Sequence, residues 1–134
     1  MTKIIGSVER ISFPDFGVKD IPAKVDTGAF TGSIHCHSIK MFKTTSGKRR
    51  LRFVPIDASH KEQVAEKFKS IPVTSSNGVT EYRYAVYTKV IIAGETYPIR
   101  LTLAKRSAMR YPVLIGRRFL KKHKIIVDVS LRNK

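Results

Sequence analysis

The stretch EYRYAVYTKVIIAGETYPIRLTLA, residues 81 to 104, constrains the fold more than any other part of the chain. Aromatic and β-branched residues alternate with polar ones on both sides of Ala93-Gly94-Glu95, so it reads as two strands joined by a short hairpin loop. Tyr82, Tyr84, Val86 and Thr88 share one face, and Val90, Ile92, Ile99, Leu101 and Leu103 carry the pattern onward. The same period of two recurs elsewhere. KIIGSVERISF places Ile5, Val8, Ile11 and Phe13 in apolar positions and stops at the turn signal Pro14-Asp15-Phe16-Gly17. DIPAKVDTG aligns Ile21, Ala23 and Val25 and stops at Gly28. RRLRFVPI, YPVLIG and KIIVDVS add three more strands. A chain written this way is mainly β.

Helix is scarce. The segment from 58 to 70, ASHKEQVAEKFKS, has Ser59 three residues before Glu62, the pattern of a capping box, and Val64 four before Phe68. This spacing allows a helix there, while Val64, Phe68, Ile71 and Val73 suit irregular strand as well. GRRFLKKH, after Gly116, predicts a second one of one or two turns near the C-terminus.

At 134 residues the chain has room for one domain, residues 1–134. A domain of this size buries roughly two-thirds of the surface its unfolded chain would expose and folds without staples. The single cysteine, Cys36, excludes an internal disulfide and suits a reducing compartment. Charges interrupt every apolar run, so no membrane span and no signal-peptide core can be drawn. A cytoplasmic protein is the expectation. The net charge of +16, from 26 bases against 10 acids, attracts polyanions such as nucleic acid or acidic peptides. The bases cluster at SGKRRLR (46 to 52) and GRRFLKKHK (116 to 124).

Chemistry concentrates in KVDTGAFTGSIHCHS, residues 24 to 38. Asp26-Thr27-Gly28-Ala29 sits where an alternating strand ends. A carboxylate there is held rigidly, a neighbouring threonine can hydrogen-bond, and glycine lets backbone N–H groups approach the carboxylate. Far downstream, YPVLIGRRFL sets the apolar pair Leu114 and Ile115 before Gly116-Arg117. Together with the paired strands between them, these motifs resemble the retropepsin-like aspartic proteases. The similarity is closer to a bacterial branch labelled ATP-dependent zinc protease and associated with ribosomal-protein glutamate ligases. Lys24 to Ala29, Thr31, His35 and VTSSNGVTEYR (73 to 83) match that branch. So does IRLTLAKRSAMRYPVLIGRRFL, and the resemblance runs from about Val8 to Val129.

The resemblance implies a closed acid-protease β-barrel, a homodimer, and Asp26 as the catalytic residue with Thr27, Gly28 and Ala29 supporting it. Aspartic proteases need two carboxylates sharing a proton. Asp15, Asp20, Asp57 and Asp128 lie in no matching setting, so a pair requires two chains. In the resemblance Gly116 and Arg117 are a second, structural motif. Many retropepsins carry an acid after Asp-Thr-Gly-Ala to hold that arginine; here Phe30 stands in its place, and Arg117 needs another partner. Gly32 and Ser33 also depart from the branch's pattern. Ser75, Ser76, Asn77 and Gly78 read as a hairpin tip, which in the resembled fold is a flap over the substrate.

His35, Cys36 and His37 invite a metal reading. On a strand, His35 and His37 share one face and Cys36 takes the other, leaving two ligands where zinc takes four, or three and water. No phosphate-binding glycine loop is present. The expectation is a protein without cofactor, neither zinc nor ATP, with Cys36 as a small core residue. Two functions follow: a dimeric aspartic peptidase acting on peptides, including acidic or polyglutamate ones, or a noncatalytic basic barrel that binds RNA, ribosomes or acidic proteins.

Overall fold

The structure, a computed structural model, describes residues 2–74, 77–105 and 110–134. In chain order the strands are β1 (Ile4–Phe13), β2 (Val18–Asp26), β3 (Gly32–Lys43), β4 (Arg49–Pro55), β5 (Gln63–Ala65) and β6 (Phe68–Thr74). They continue with β7 (Thr80–Ile92), β8 (Glu95–Ala104) and β9 (Val113–Gly116). The helix α1 (Arg117–Lys122) follows, and then β10 (Ile126–Asn133). One α-helix occurs among the described residues, so the chain is mainly β with a short helix near its C-terminus.

Six strands close on themselves. Pairing runs β1-β2-β9-β3-β8-β7 and returns from β7 to β1 through Ile11↔Ile92 and Ser12↔Ile91. Closure removes the open edges that a flat sheet would leave. Strands outside the ring extend it: β10 lies parallel to β1, β6 pairs with β7, and β4 and β5 build out from β3. The alternation seen in the sequence selects the inward face. Ile5, Ile11, Phe13, Ile34, Leu101 and Ile115 are buried in one cluster, each contributing roughly 1.5–3 kcal/mol over an exposed position. Phe16 and Phe53 meet edge to face inside it, 5.2 Å between ring centroids.

The β7–β8 hairpin turns in two residues, with Ile92 paired to Glu95. Ala93 and Gly94 both take positive φ, 50° and 79°, the backbone that matches the twist of the flanking strands. The PDFG signal after β1 becomes one 3-10 turn closed by Gly17 at φ 66°.

Of the two readings open for residues 58 to 70, helix or irregular strand, the structure takes the strand. Asp57 intercepts the helix: its carboxylate accepts hydrogen bonds from the Ser59 N–H and hydroxyl and pairs with His60 Nδ1. These contacts, the Ser59 hydroxyl first, hold its pKa down at about 2. Ser59 is thereby spent on a turn and caps no helix. The chain then enters β5 and β6, where Phe68 packs edge to face on Tyr84 while Val64 stays exposed. A spacing of four serves two strands joined by a short turn as well as one helix.

Candidate active site

Asp26 is the last residue of β2, half-buried, and pairs in parallel register with Gly116 at the end of β9. The chain turns immediately. The Gly28 N–H donates to Asp26 Oδ1 at 3.0 Å, and the Ala29 N–H donates to the Asp26 carbonyl at 3.2 Å. A Cβ on Gly28 would stand 3.2 Å from that carboxylate oxygen. The small residue therefore gives the backbone N–H its approach.

The loop from Thr27 to Thr31 is braced from behind by the start of α1. The Arg117 and Arg118 N–H groups donate to the carbonyls of Ala29 and Phe30 at 2.8 and 3.0 Å. Gly116 is the crossing point: a Cβ there would lie 2.7 Å from the Phe30 carbonyl oxygen and 2.9 Å from Gly32 N. Its φ of −91° is open to any residue, so space, not conformation, demands glycine. This is how two motifs almost ninety residues apart become one site.

Arg117 finds partners without an acid. Its guanidinium donates to the Gly28 carbonyl at 3.0 Å and lies over the Phe30 ring, 5.3 Å from the centroid. The residue that departs from the expected pattern thus supplies a cation–π surface in exchange for an ion pair. The sequence marked Phe30 as a departure but not as the partner.

Asp26 lies on the wall of a cleft of about 1070 Å³. The β6–β7 hairpin lines the same cleft through Pro72, Thr74, Val79 and Tyr82, and the end of β8 adds Thr102 and Lys105. Of the expected lid residues, Ser75 and Ser76 lie outside the described residues. Gly78 takes φ 83°, and Asn77 Oδ1 accepts from the Val79 N–H at 3.4 Å, a turn at the hairpin's end. Thr74 and Thr80 join their hydroxyls across its neck at 2.9 Å. Among the described residues two carboxylates line this cleft, and Glu81 is bound to Arg83 at 2.6 Å. Asp26 is the other. Sequence reasoning did not single out the cleft wall from β8, because Thr102 reads as one more alternating position.

The His-Cys-His cluster divides as a strand requires. Cys36 is buried on β3, His37 is exposed and His35 intermediate. Burial pushes the Cys36 thiol up to about 12, which makes it an inert core group. Among the described residues no three His, Cys, Asp or Glu side chains are grouped to hold a metal ion. No described helix is long and apolar enough to cross a membrane.

A closed barrel with Asp-Thr-Gly at a strand end, a Gly-Arg brace behind it and a hairpin lining the same cleft defines the retropepsin-like class. Comparison with known proteins gives the family. Residues 4–133 match the RimB-like family model, described as retropepsin-like aspartic endopeptidase RimB, and the chain belongs to that family. A probable alpha-L-glutamate ligase of Shewanella pealeana is 38% identical over 132 residues, covering 95% of this chain and 28% of that protein. One of Parasynechococcus marenigrum is 34% identical over 119 residues, covering 85% of this chain and 25% of that protein. The chain thus spans about a quarter of the length of these relatives. A crystal structure of a Legionella pneumophila protein of unknown function superposes with a TM-score of 0.78 at 25% identity, covering 100% of this chain and 98% of that one.

Proposed function

We propose that the chain is an aspartic peptidase that works as a two-fold homodimer, each copy supplying one Asp26. The observation that carries this reading is Asp26, held by the Gly28 N–H, on a cleft large enough for an extended peptide. Of two facing carboxylates, the ionised one draws a proton from water as it attacks the scissile carbonyl. The protonated one hydrogen-bonds the carbonyl oxygen, and the tetrahedral intermediate collapses as a proton passes to the leaving amine. The β6–β7 hairpin closes over the bound peptide and excludes water.

Exposed apolar surface beside the loop supports pairing. Phe30 is 55% exposed, and Ile126, Val129 and Leu131 of β10 lie open on the outer strand. A groove beside Thr27 and Phe30 continues to Leu120 and Val127, joining the catalytic loop to β10. An apolar, strand-paired interface is what two +16 chains need to overcome their repulsion.

The substrate class we favour is an acidic peptide, including a polyglutamate tail. The charge supports it, and so does the glutamate-ligase name of the relatives that contain a segment similar to this chain. A reducing, cytoplasmic setting suits the single buried thiol. The test is hydrolysis of a glutamate-rich peptide by wild type and by Asp26→Asn, which keeps the shape and removes the base. Turnover should fall at least about a thousandfold with the fold intact. Unchanged turnover refutes the assignment. Tight RNA binding without hydrolysis by either protein would favour the noncatalytic basic barrel.

A further inference from the structure

We propose that a second cavity, between β8 and α1 on the far side of the catalytic loop, is a binding site for one small oxyanion, a carboxylate or phosphate group. The cavity holds about 130 Å³. It arises because β3 pairs with β8 only from Gly32↔Leu101 onward, so Pro98, Ile99 and Arg100 lie beyond that pairing and face the helix region.

Its lining is one-sided in charge. Arg100, Arg118 and Lys122 bring fixed positive charge, His123 brings an imidazole, and Thr31 and Thr88 bring hydroxyls; no carboxylate lines it among the described residues. Four buried side-chain polar atoms lack a hydrogen-bond partner among the described residues: Arg52 Nε, Thr88 Oγ1, Arg100 Nε and His123 Nε2. Arg52 Nε still has Glu62 Oε1 at 3.3 Å. The other three all belong to residues lining this cavity. Buried polar atoms without partners are costly and rare; of these three Arg100 Nε is always a donor, and a guanidinium N–H gains most from an anionic acceptor. The His123 ring is fixed in place between Tyr97 and Phe119, at 4.8 Å from each centroid, so its Nε2 is preorganised.

The site touches the catalytic loop. Arg100 Nη2 donates to Thr31 Oγ1 at 3.3 Å, and Thr31 lines both this cavity and the Asp26 cleft. An oxyanion on Arg100 fixes the guanidinium that holds Thr31, and so bears on the loop's position from behind. The inference concerns binding and does not depend on hydrolysis, so its failure leaves the peptidase reading standing.

The test is a titration of the isotopically labelled full chain at fixed pH and ionic strength, followed by amide and side-chain NMR shifts. Inorganic phosphate is the probe in one arm and acetate in the other, against a chloride background. Saturable shifts at Thr31, Thr88, Arg100 and His123 uphold the site, and the arm saturating at lower concentration names the source. Arg100→Gln should weaken binding by about tenfold or more. Lys48→Gln, which removes the same charge from an exposed hairpin, should leave it within about twofold. Thr88→Val keeps every charge and the side-chain volume, and should weaken it about threefold even where Arg100→Gln fails to fold. Unsaturated shifts spread over the basic surface, or equal effects of Arg100→Gln and Lys48→Gln, overturn the proposal.

Discussion

Gly116→Ala is a one-carbon perturbation whose effect can be worked from the crossing it would obstruct. The new Cβ would meet the Phe30 carbonyl oxygen at 2.7 Å, Thr31 C at 2.8 Å and Gly32 N at 2.9 Å, all of them backbone. Ordinary contact lies near 3.5 Å, so the loop or the strand must move by roughly 0.5–1 Å. No flexible side chain can absorb that shift. Overpacking of this kind costs about 1–3 kcal/mol. For a chain of 134 residues, each kcal/mol lowers Tm by roughly 4 °C, giving a fall of about 4–12 °C. Because the displaced atoms belong to the loop after Asp26, peptide turnover should fall further than stability explains, by about a hundredfold. Thermal and urea denaturation with unchanged m-value, read beside turnover of the folded protein, supply the assay. Backbone shifts should centre on residues 28 to 32. A Tm within about 1 °C of wild type, with those shifts unchanged, would refute the argument that space at Gly116 joins the two motifs.

Val129→Lys places a charge on the exposed apolar face of β10 and should weaken self-association by at least about tenfold in sedimentation equilibrium. An unchanged dimerisation constant would remove β10 from the interface. Cys36 should resist alkylation in the folded chain at pH 8 and react fully in denaturant, since burial holds its thiol near 12. The sign of the linkage follows. The unfolded thiol ionises near pH 8.5 while the folded one stays protonated, so stability should decline as pH rises above about 8.5. A Cys36→Ala variant should lose that part of the alkaline slope; rapid labelling of native protein would contradict the buried-thiol reading.

The barrel was legible because alternation is local. Each strand of the ring buries one face, so its period survives in the sequence from Ile5 to Ile115. The segment from 58 to 70 was not legible, because Ser59 and Glu62, and Val64 and Phe68, satisfy helical spacing without committing to it. What decided it was Asp57, just ahead of the segment, capturing Ser59 and His60. At the site, Asp26-Thr27-Gly28 announced itself through a strand ending in a turn. The brace from α1 depends on two chain segments crossing within contact distance, which no local pattern encodes. That Arg117 needed a partner was legible, but that Phe30 itself and the Gly28 carbonyl supply it was not. The cationic cavity draws on β7, β8, α1 and the Thr31 loop, so it exists only in three dimensions.

The central claim is that the catalytic centre is made of two chains, each giving Asp26. Mixing tests it directly: wild type and Asp26→Asn are combined at constant total concentration, exchanged to equilibrium, and assayed on a glutamate-rich peptide. A site shared between chains keeps activity in proportion to the square of the wild-type fraction, because a mixed pair has only one carboxylate. An equal mixture should then retain about a quarter of wild-type activity, the share of pairs that random association leaves wholly wild type. A linear dilution, with about half the activity remaining, would mean that one chain suffices and would contradict the two-chain site.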